Sequence, residues 1–175
     1  MNTTRVKYIL ILGIVLVCGM PVRGQVAAGV FTPSSPYKAG KLIVREDFDR
    51  NLSRWVVETP ALPQSGARII DGKLVIDVAK GATVWLKAPL SGDVLISYTQ
   101  EVVMDHGVHD RLSDLNQFWM ATDPRDRDIF TRAGIFSQYD SLRMYYVGFG
   151  GNHNTTTRFR KYDGDGERRI LQQYT

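Results

Sequence analysis

From Lys41 onward the chain is a succession of short β-prone runs with turn residues between them. No window sustains the 3.6-residue period of an amphipathic helix. The runs are Leu42-Ile43-Val44, Trp55-Val56-Val57, Arg68-Ile69-Ile70, Lys73 to Val78, Thr83 to Leu86, and the segments 93–103, 116–121, 133–137, 142–149, 155–162 and 168–174. Strands recurring every 8–12 residues are the pattern of an antiparallel sandwich or barrel. The sharpest local signal is Asp71-Gly72 between two such runs. A two-residue type I′ turn needs positive φ at both positions, and Asp-Gly supplies it. The expected core draws on Phe48, Trp55, Ile69, Leu74, Ile76, Trp85, Ile96, Phe118, Ile135 and Val147.

The first 24 residues read differently. Arg5 and Lys7 precede an apolar stretch from Tyr8 to Met20, and Val22 and Gly24 sit at −3 and −1 of a cleavage point before Gln25. That is a secretory signal peptide, too short for a membrane span. Its removal takes three of the 22 basic residues and none of the 18 acidic ones, so the mature chain is close to neutral. A near-neutral chain argues against a nucleic-acid surface. The single cysteine, Cys18, leaves with it, which excludes a disulfide framework, a thiolate metal site and a cysteine nucleophile. Residues 25–40, rich in Ala, Gly, Ser and Pro, read as a linker, and residues 41–175 as one β-sandwich domain. The expected protein is periplasmic or secreted, without a stable membrane anchor.

Phosphate-loop, HExxH and GxSxG motifs are missing from the sequence. Gly148-Phe149-Gly150-Gly151 is followed by no helix and reads as backbone that needs positive φ or close approach. Polar and aromatic residues crowd into two blocks, residues 105–124 and 145–162, which also hold all three histidines. Strand alternation puts Asn116, Phe118 and Met120 on one face and Gln117, Trp119 and Ala121 on the other. Likewise Thr156, Arg158, Arg160 and Tyr162 share one face, opposite Thr157, Phe159 and Lys161. Two arginines side by side repel unless an anion or an acidic neighbour lies between them. This composition suits a sugar carrying a carboxylate, with guanidinium and amide groups on the acid and hydroxyls and aromatic rings on the pyranose face.

The stretches DRLSDLNQFWMATDP (110–124) and YYVGFGGNHNTTTRFRKYDG (145–164) resemble the hallmark blocks of a family of secreted bacterial domains. The family is similar to the YesU-like proteins among the concanavalin A-like lectins and glucanases. The resemblance covers most of residues 41–175. It implies an all-β, antiparallel two-sheet jelly-roll sandwich found beside plant-polysaccharide degradation systems. It also implies that the chain ends inside the sandwich, since related domains continue through further strands.

Two functions follow as expectations. One is cleavage of an acidic plant-type polysaccharide or oligosaccharide. A hydrolase needs two carboxyl groups across the bond, and Glu101, Asp110, Asp114 and Asp123 are available, but no strand-spaced pair stands out. A lyase needs a group that neutralises the uronate and a base at the α-proton. Asn152, Asn154, Arg158 or Arg160 fit the first role, and His106, His109, His153 or Tyr146 the second. The expected catalytic set is His153, Tyr146 and His109. The expected substrate contacts are Asp110, Arg111, Asp114, Asn116, Trp119, Asn152, Asn154, Arg158 and Arg160. The other function is a non-catalytic carbohydrate-binding module with the same contacts. A structural envelope protein ranks last, since it has no need of such dense polar-aromatic blocks. No cofactor is expected. Asp163-Gly164-Asp165-Gly166-Glu167 and the trio Asp123, Asp126 and Asp128 resemble partial calcium loops, though acid-rich turns more often simply solvate a hairpin.

Overall fold

The computed structural model describes residues 8–9, 40–112, 114–125 and 127–175. The expected signal peptide and linker therefore lie outside the described residues, apart from Tyr8, Ile9 and Gly40. The described chain is all-β. It holds β1 (Tyr8–Ile9), β2 (Trp55–Glu58), β3 (Gly66–Ile70), β4 (Lys73–Asp77), β5 (Thr83–Leu86), β6 (Leu115–Thr122), β7 (Arg143–Gly150), β8 (Thr156–Asp163) and β9 (Arg169–Tyr174). Every pairing among the described residues is antiparallel. One sheet runs β1-β6-β7-β8-β9, and β2–β5 and β3–β4 form two-stranded sheets. Helical content there is confined to single turns at Phe136–Tyr139 and Gly151–Asn154. This architecture is compatible with a β-sandwich.

The β3–β4 hairpin forms as the sequence predicts. Asp71 and Gly72 take φ of 49° and 69°, and Ile70 pairs with Lys73 across the two-residue turn. Trp85 on β5 joins the small sheet to the large one. It is fully buried, with its ring edge-on to Phe118 of β6 at 4.7 Å, and its indole N–H donates to the Glu58 carboxylate at 2.7 Å. Phe48, Trp55, Leu74, Met144, Tyr146 and Tyr162 extend the same core. The inner face of the large sheet, which meets Trp85, thus carries Phe118, Met144, Tyr146 and Tyr162.

Several expectations need correcting. Segment 93–103 keeps a strand-like alternation, with Ile96, Tyr98 and Gln100 half-buried and Leu95 78% exposed, but it joins no sheet among the described residues. Its composition encodes an extended backbone, whereas pairing depends on distant partners that composition does not name. Segment 133–137 is not a strand. Gly134, at φ 72°, breaks the extended path, a 3-10 turn follows, and Ile135 is 47% exposed rather than in the core. Val147 is half-buried on the outer face of the sheet, opposite Tyr146. In β6 the alternation holds only to Trp119. Met120 adopts φ 57° in a bulge between Trp119 and Thr122, which turns Met120 outward and places Ala121 in the core.

Just past β6, Asp123 is buried, its side chain 1% exposed. Its carboxylate accepts from Arg125 Nε at 2.8 Å, from the Arg125 backbone N–H at 3.0 Å, and from an Arg132 guanidinium nitrogen at 3.0 Å. The Arg125 hydrogen bonds, with those of Arg132, hold its pKa far below the usual aspartate value even though burial pushes the other way. A carboxyl whose folded pKa is depressed contributes its full stability above its unfolded pKa and loses it as pH falls toward the folded value. The thermal midpoint should therefore drop steeply as pH is lowered from about 4 toward 2. Asp123→Asn should be less stable at neutral pH and show a flatter acid limb. A parallel acid limb in the two proteins would refute this assignment.

Candidate functional site on the inner sheet face

Gly148 is the pivot of the site. In β7 it pairs with Asn116 of β6 on one side and Arg158 of β8 on the other, so the three lie in one row across the sheet. The next row is Phe118, Tyr146 and Arg160. With no side chain at 148, the Tyr146 ring leans over the backbone. A Cβ at Gly148 would stand 2.9 Å from Tyr146 Cε1 and 3.3 Å from both the Tyr146 hydroxyl and Asn116 Oδ1. Only glycine lets the phenol and the amide converge there. Asn116 Oδ1 is buried and has no hydrogen-bond partner among the described residues, and neither does the buried Tyr162 hydroxyl. Unpaired buried polar atoms in a native fold call for a water, an ion or a ligand.

The two arginines are held from the far side. Arg158 Nε donates to Gln173 Oε1 at 2.7 Å, and Arg160 donates to the Arg168 carbonyl at 2.9 Å. Both acceptors are neutral, and among the described residues neither arginine forms an ion pair with a carboxylate. Arg168 is different. It makes two 2.7 Å hydrogen bonds to Asp140 and lies 4.1 Å over the Phe136 ring, which packs against Tyr146 at a centroid distance of 5.7 Å. Burial pushes the Tyr146 phenol far above its ordinary pKa. Tyr162 and Asp114 add to that rise, and Arg160 and Arg168 oppose it. Burial raises Tyr162 to about 12, with Arg168 and Arg160 again opposing.

One end of the site is closed by a left-handed turn. Gly150, Asn152, His153 and Asn154 have φ of 72°, 52°, 58° and 62°. The Thr155 N–H donates to the Gly151 carbonyl at 3.0 Å to close the turn. A left-handed turn costs an ordinary residue about 1–2 kcal/mol, and Gly and Asn tolerate it best. Backbone held in this region clusters at functional sites. Asp114, itself at φ 47°, donates its N–H to the Gly150 carbonyl at 3.2 Å, and its carboxylate lies 3.3 Å from where a Gly151 Cβ would be. The two sequence blocks therefore meet at Asp114, Gly150 and Gly151.

Of the expected site residues, the fold gathers Asp114, Asn116, Tyr146, Arg158 and Arg160, with the exposed Asn152, His153 and Asn154 on the adjoining turn. The others are engaged elsewhere. His109 Nδ1 lies 2.9 Å from an Asp77 carboxylate oxygen on β4. Asp110 closes its own loop by accepting the Asp105 and Gly107 N–H groups at 2.6 and 2.9 Å. Arg111 donates to the Lys80 carbonyl at 3.3 Å. Trp119 is on the opposite face of the sheet, stacked with Tyr145 and Phe159. Sequence reasoning missed Phe136, Asp140 and Arg168. Phe136 and Arg168 were read as parts of strands, and nothing local marks them as neighbours of Tyr146.

The acidic turns are occupied by arginine and lysine. Asp165 pairs with Arg169 at 2.6 Å, which lowers its pKa to about 2, and Asp163 pairs with Lys161 at 2.7 Å. Asp126 lies outside the described residues. Among those described, no three His, Cys, Asp or Glu side chains converge as a metal site would require.

One family of proteins, described as a domain of unknown function (DUF6250), matches residues 76–175. No curated protein and no solved structure matches the chain. The matched region contains β6 to β9 and the whole of the site above.

Proposed function

The chain belongs to the DUF6250 family, and from that premise we propose that it is a secreted or periplasmic carbohydrate-active protein, a concanavalin A-like relative of the YesU-like domains. In this reading the inner sheet face grips an acidic plant-type polysaccharide, with Arg158 and Arg160 on the uronate carboxylates and Asn116 and Tyr146 on neighbouring hydroxyls. The observation that carries it is the partners of the arginine pair. Two neighbouring guanidiniums on one strand face, each tied among the described residues only to a neutral acceptor, leave room for an incoming anion. Asn116 Oδ1, buried beside them and without a hydrogen-bond partner among the described residues, supplies the acceptor that a sugar hydroxyl needs.

Two chemistries remain on this surface. Cleavage by β-elimination uses Arg160 to neutralise the uronate and Tyr146, or His153 from the turn, to move the proton. A binding module without catalysis is favoured by one specific observation. Burial raises the Tyr146 pKa against the pull of Arg160 and Arg168, which keeps the phenol protonated and ill suited to act as the base.

The test is binding and turnover with polygalacturonate. Arg158→Ala or Arg160→Ala should each weaken binding about ten-fold or more, because a charge-assisted hydrogen bond is worth roughly 1.5–3 kcal/mol. Lysine at either position should restore little, since it lacks the planar fork. Lost turnover with retained binding in Tyr146→Phe or His153→Ala would identify a lyase. If both arginine variants bind acidic glycans as the parent does, the site is elsewhere. Export carries its own check: protein recovered outside the cytoplasm should begin at or near Gln25, and bulk material retaining Met1 would refute it.

A further inference from the structure

The outer face of the same sheet has the opposite character, and we infer that it is a second, separate glycan-binding surface, one for the uncharged pyranose residues of a neutral polysaccharide. Trp119 of β6, Tyr145 of β7 and Phe159 of β8 lie on three adjacent strands, all half-buried, with solvent reaching each residue. Their centroids form a nearly equilateral triangle with sides of 6.2, 5.8 and 5.9 Å, and their planes differ by no more than 26°. Three parallel rings in single file at van der Waals contact would place the outer two about 7 Å apart. The observed triangle is smaller, so at least two rings lie side by side and the cluster is a patch rather than a column. A patch of near-parallel rings about the size of one pyranose is the surface on which the apolar C–H face of a sugar stacks.

Charge and hydrogen bonding select the ligand. On this face Lys161 pairs with Asp163 at 2.7 Å, and Arg169 pairs with Asp163 at 3.3 Å and with Asp165 at 2.6 Å. A further cation, Arg143, opens β7 directly opposite Asp163 in the ladder. Lys161 and Arg169 therefore face carboxylates of their own, unlike Arg158 and Arg160 on the inner face, while Arg143 Nε donates to the Asp163 backbone carbonyl at 3.4 Å at the edge of the patch. Gln117, which neighbours Trp119, and Gln172, which pairs with Phe159 in the ladder, place amides beside the rings. Amides suit hydroxyls. A sheet with two unneutralised arginines on its inner face and an aromatic outer face whose Lys161 and Arg169 are paired with carboxylates would hold two chemically different glycans at once. This inference does not depend on the inner-face reading.

The experiment uses intrinsic fluorescence. Of the three tryptophans, Trp55 and Trp85 are buried, so a collisional quencher in solution reports on Trp119. Cellohexaose, xylohexaose or mannohexaose should shield Trp119 from acrylamide and shift its emission, and hexagalacturonate should not displace them. Trp119→Ala should lower affinity for the neutral hexaose at least ten-fold, as should Tyr145→Ala, which removes a neighbouring ring and leaves the reporter in place. The parent protein alone can overturn the inference: if no neutral hexaose protects Trp119, this face does not bind sugar. Self-association that buries Trp119 in sedimentation experiments, with no response to glycan, would overturn it in favour of a second copy of the chain.

Discussion

Replacing Glu58 with alanine should cost on the order of 4–6 kcal/mol, enough to unfold a domain whose total stability falls in the usual range of about 5–15 kcal/mol. Glu58 is buried at the end of β2. One carboxylate oxygen accepts the Trp85 indole N–H and the Tyr139 hydroxyl, each at 2.7 Å, and the other accepts the Arg132 backbone N–H at 2.6 Å. Those donors come from β5, from the 3-10 turn and from the loop that follows Asp123. Alanine removes the acceptor of all three donors, two of them buried and the Arg132 N–H half-buried, at about 1–3 kcal/mol each. Glu58→Gln is the informative control. The amide keeps one oxygen but turns an N–H₂ toward a donor, and only the Tyr139 hydroxyl can rotate to accept. Its loss should be intermediate. Urea melts of the parent, Glu58→Gln and Glu58→Ala should therefore rank in that order, and an alanine variant within about 1 kcal/mol of the parent would refute the hub.

That hub was invisible in the sequence for a physical reason. Glu58 stands 27 residues from Trp85 and 81 from Tyr139, and a hydrogen bond between such distant residues leaves no local pattern. What local chemistry dictates was legible. Asp71-Gly72 announced its turn because few residue pairs take two positive φ values cheaply. The alternation in β8 put Arg158 and Arg160 on one face because a strand has a two-residue period. The same rule failed at Met120, where a bulge resets the period, and at residues 133–137, where Gly134 ends the extended path. The candidate site divides in the same way. Asn116 and the arginine pair were readable from strand alternation, whereas Tyr146, Asn152, His153 and Asn154 were legible only as candidate chemistry, and the left-handed turn that carries the last three was not. The grouping with Phe136 and Arg168, and the loss of His109 to Asp77, depend on how distant segments pack.

Gly134→Ala should destabilise the protein by at least about 3 kcal/mol, through two effects that add. The first is conformational. Gly134 is held at φ 72°, where a Cβ is strained in any surroundings. The second is steric. An added Cβ would stand 2.5 Å from the Glu58 carbonyl oxygen and 2.9 Å from Thr59 Cα. Both are backbone atoms of the segment that carries the Glu58 hub, so neither can move aside as a flexible side chain would. Gly81 makes the reciprocal contact, since a Cβ there would collide with the Gly134 carbonyl oxygen. The two glycines let three stretches of main chain pass in direct contact. They also fix where the Tyr139 hydroxyl sits, because it accepts the Gly134 N–H at 3.1 Å while donating to Glu58. Gly81→Ala lacks the positive-φ penalty and isolates the steric part. Each alanine alone should lower the thermal midpoint by roughly ten degrees or more, at a few degrees per kcal/mol for a chain of this size. The double variant should lose less than the sum, because one displacement of the backbone relieves both clashes. Full additivity would mean that the two glycines act independently and that the close passage of the three segments is not what they are there to permit.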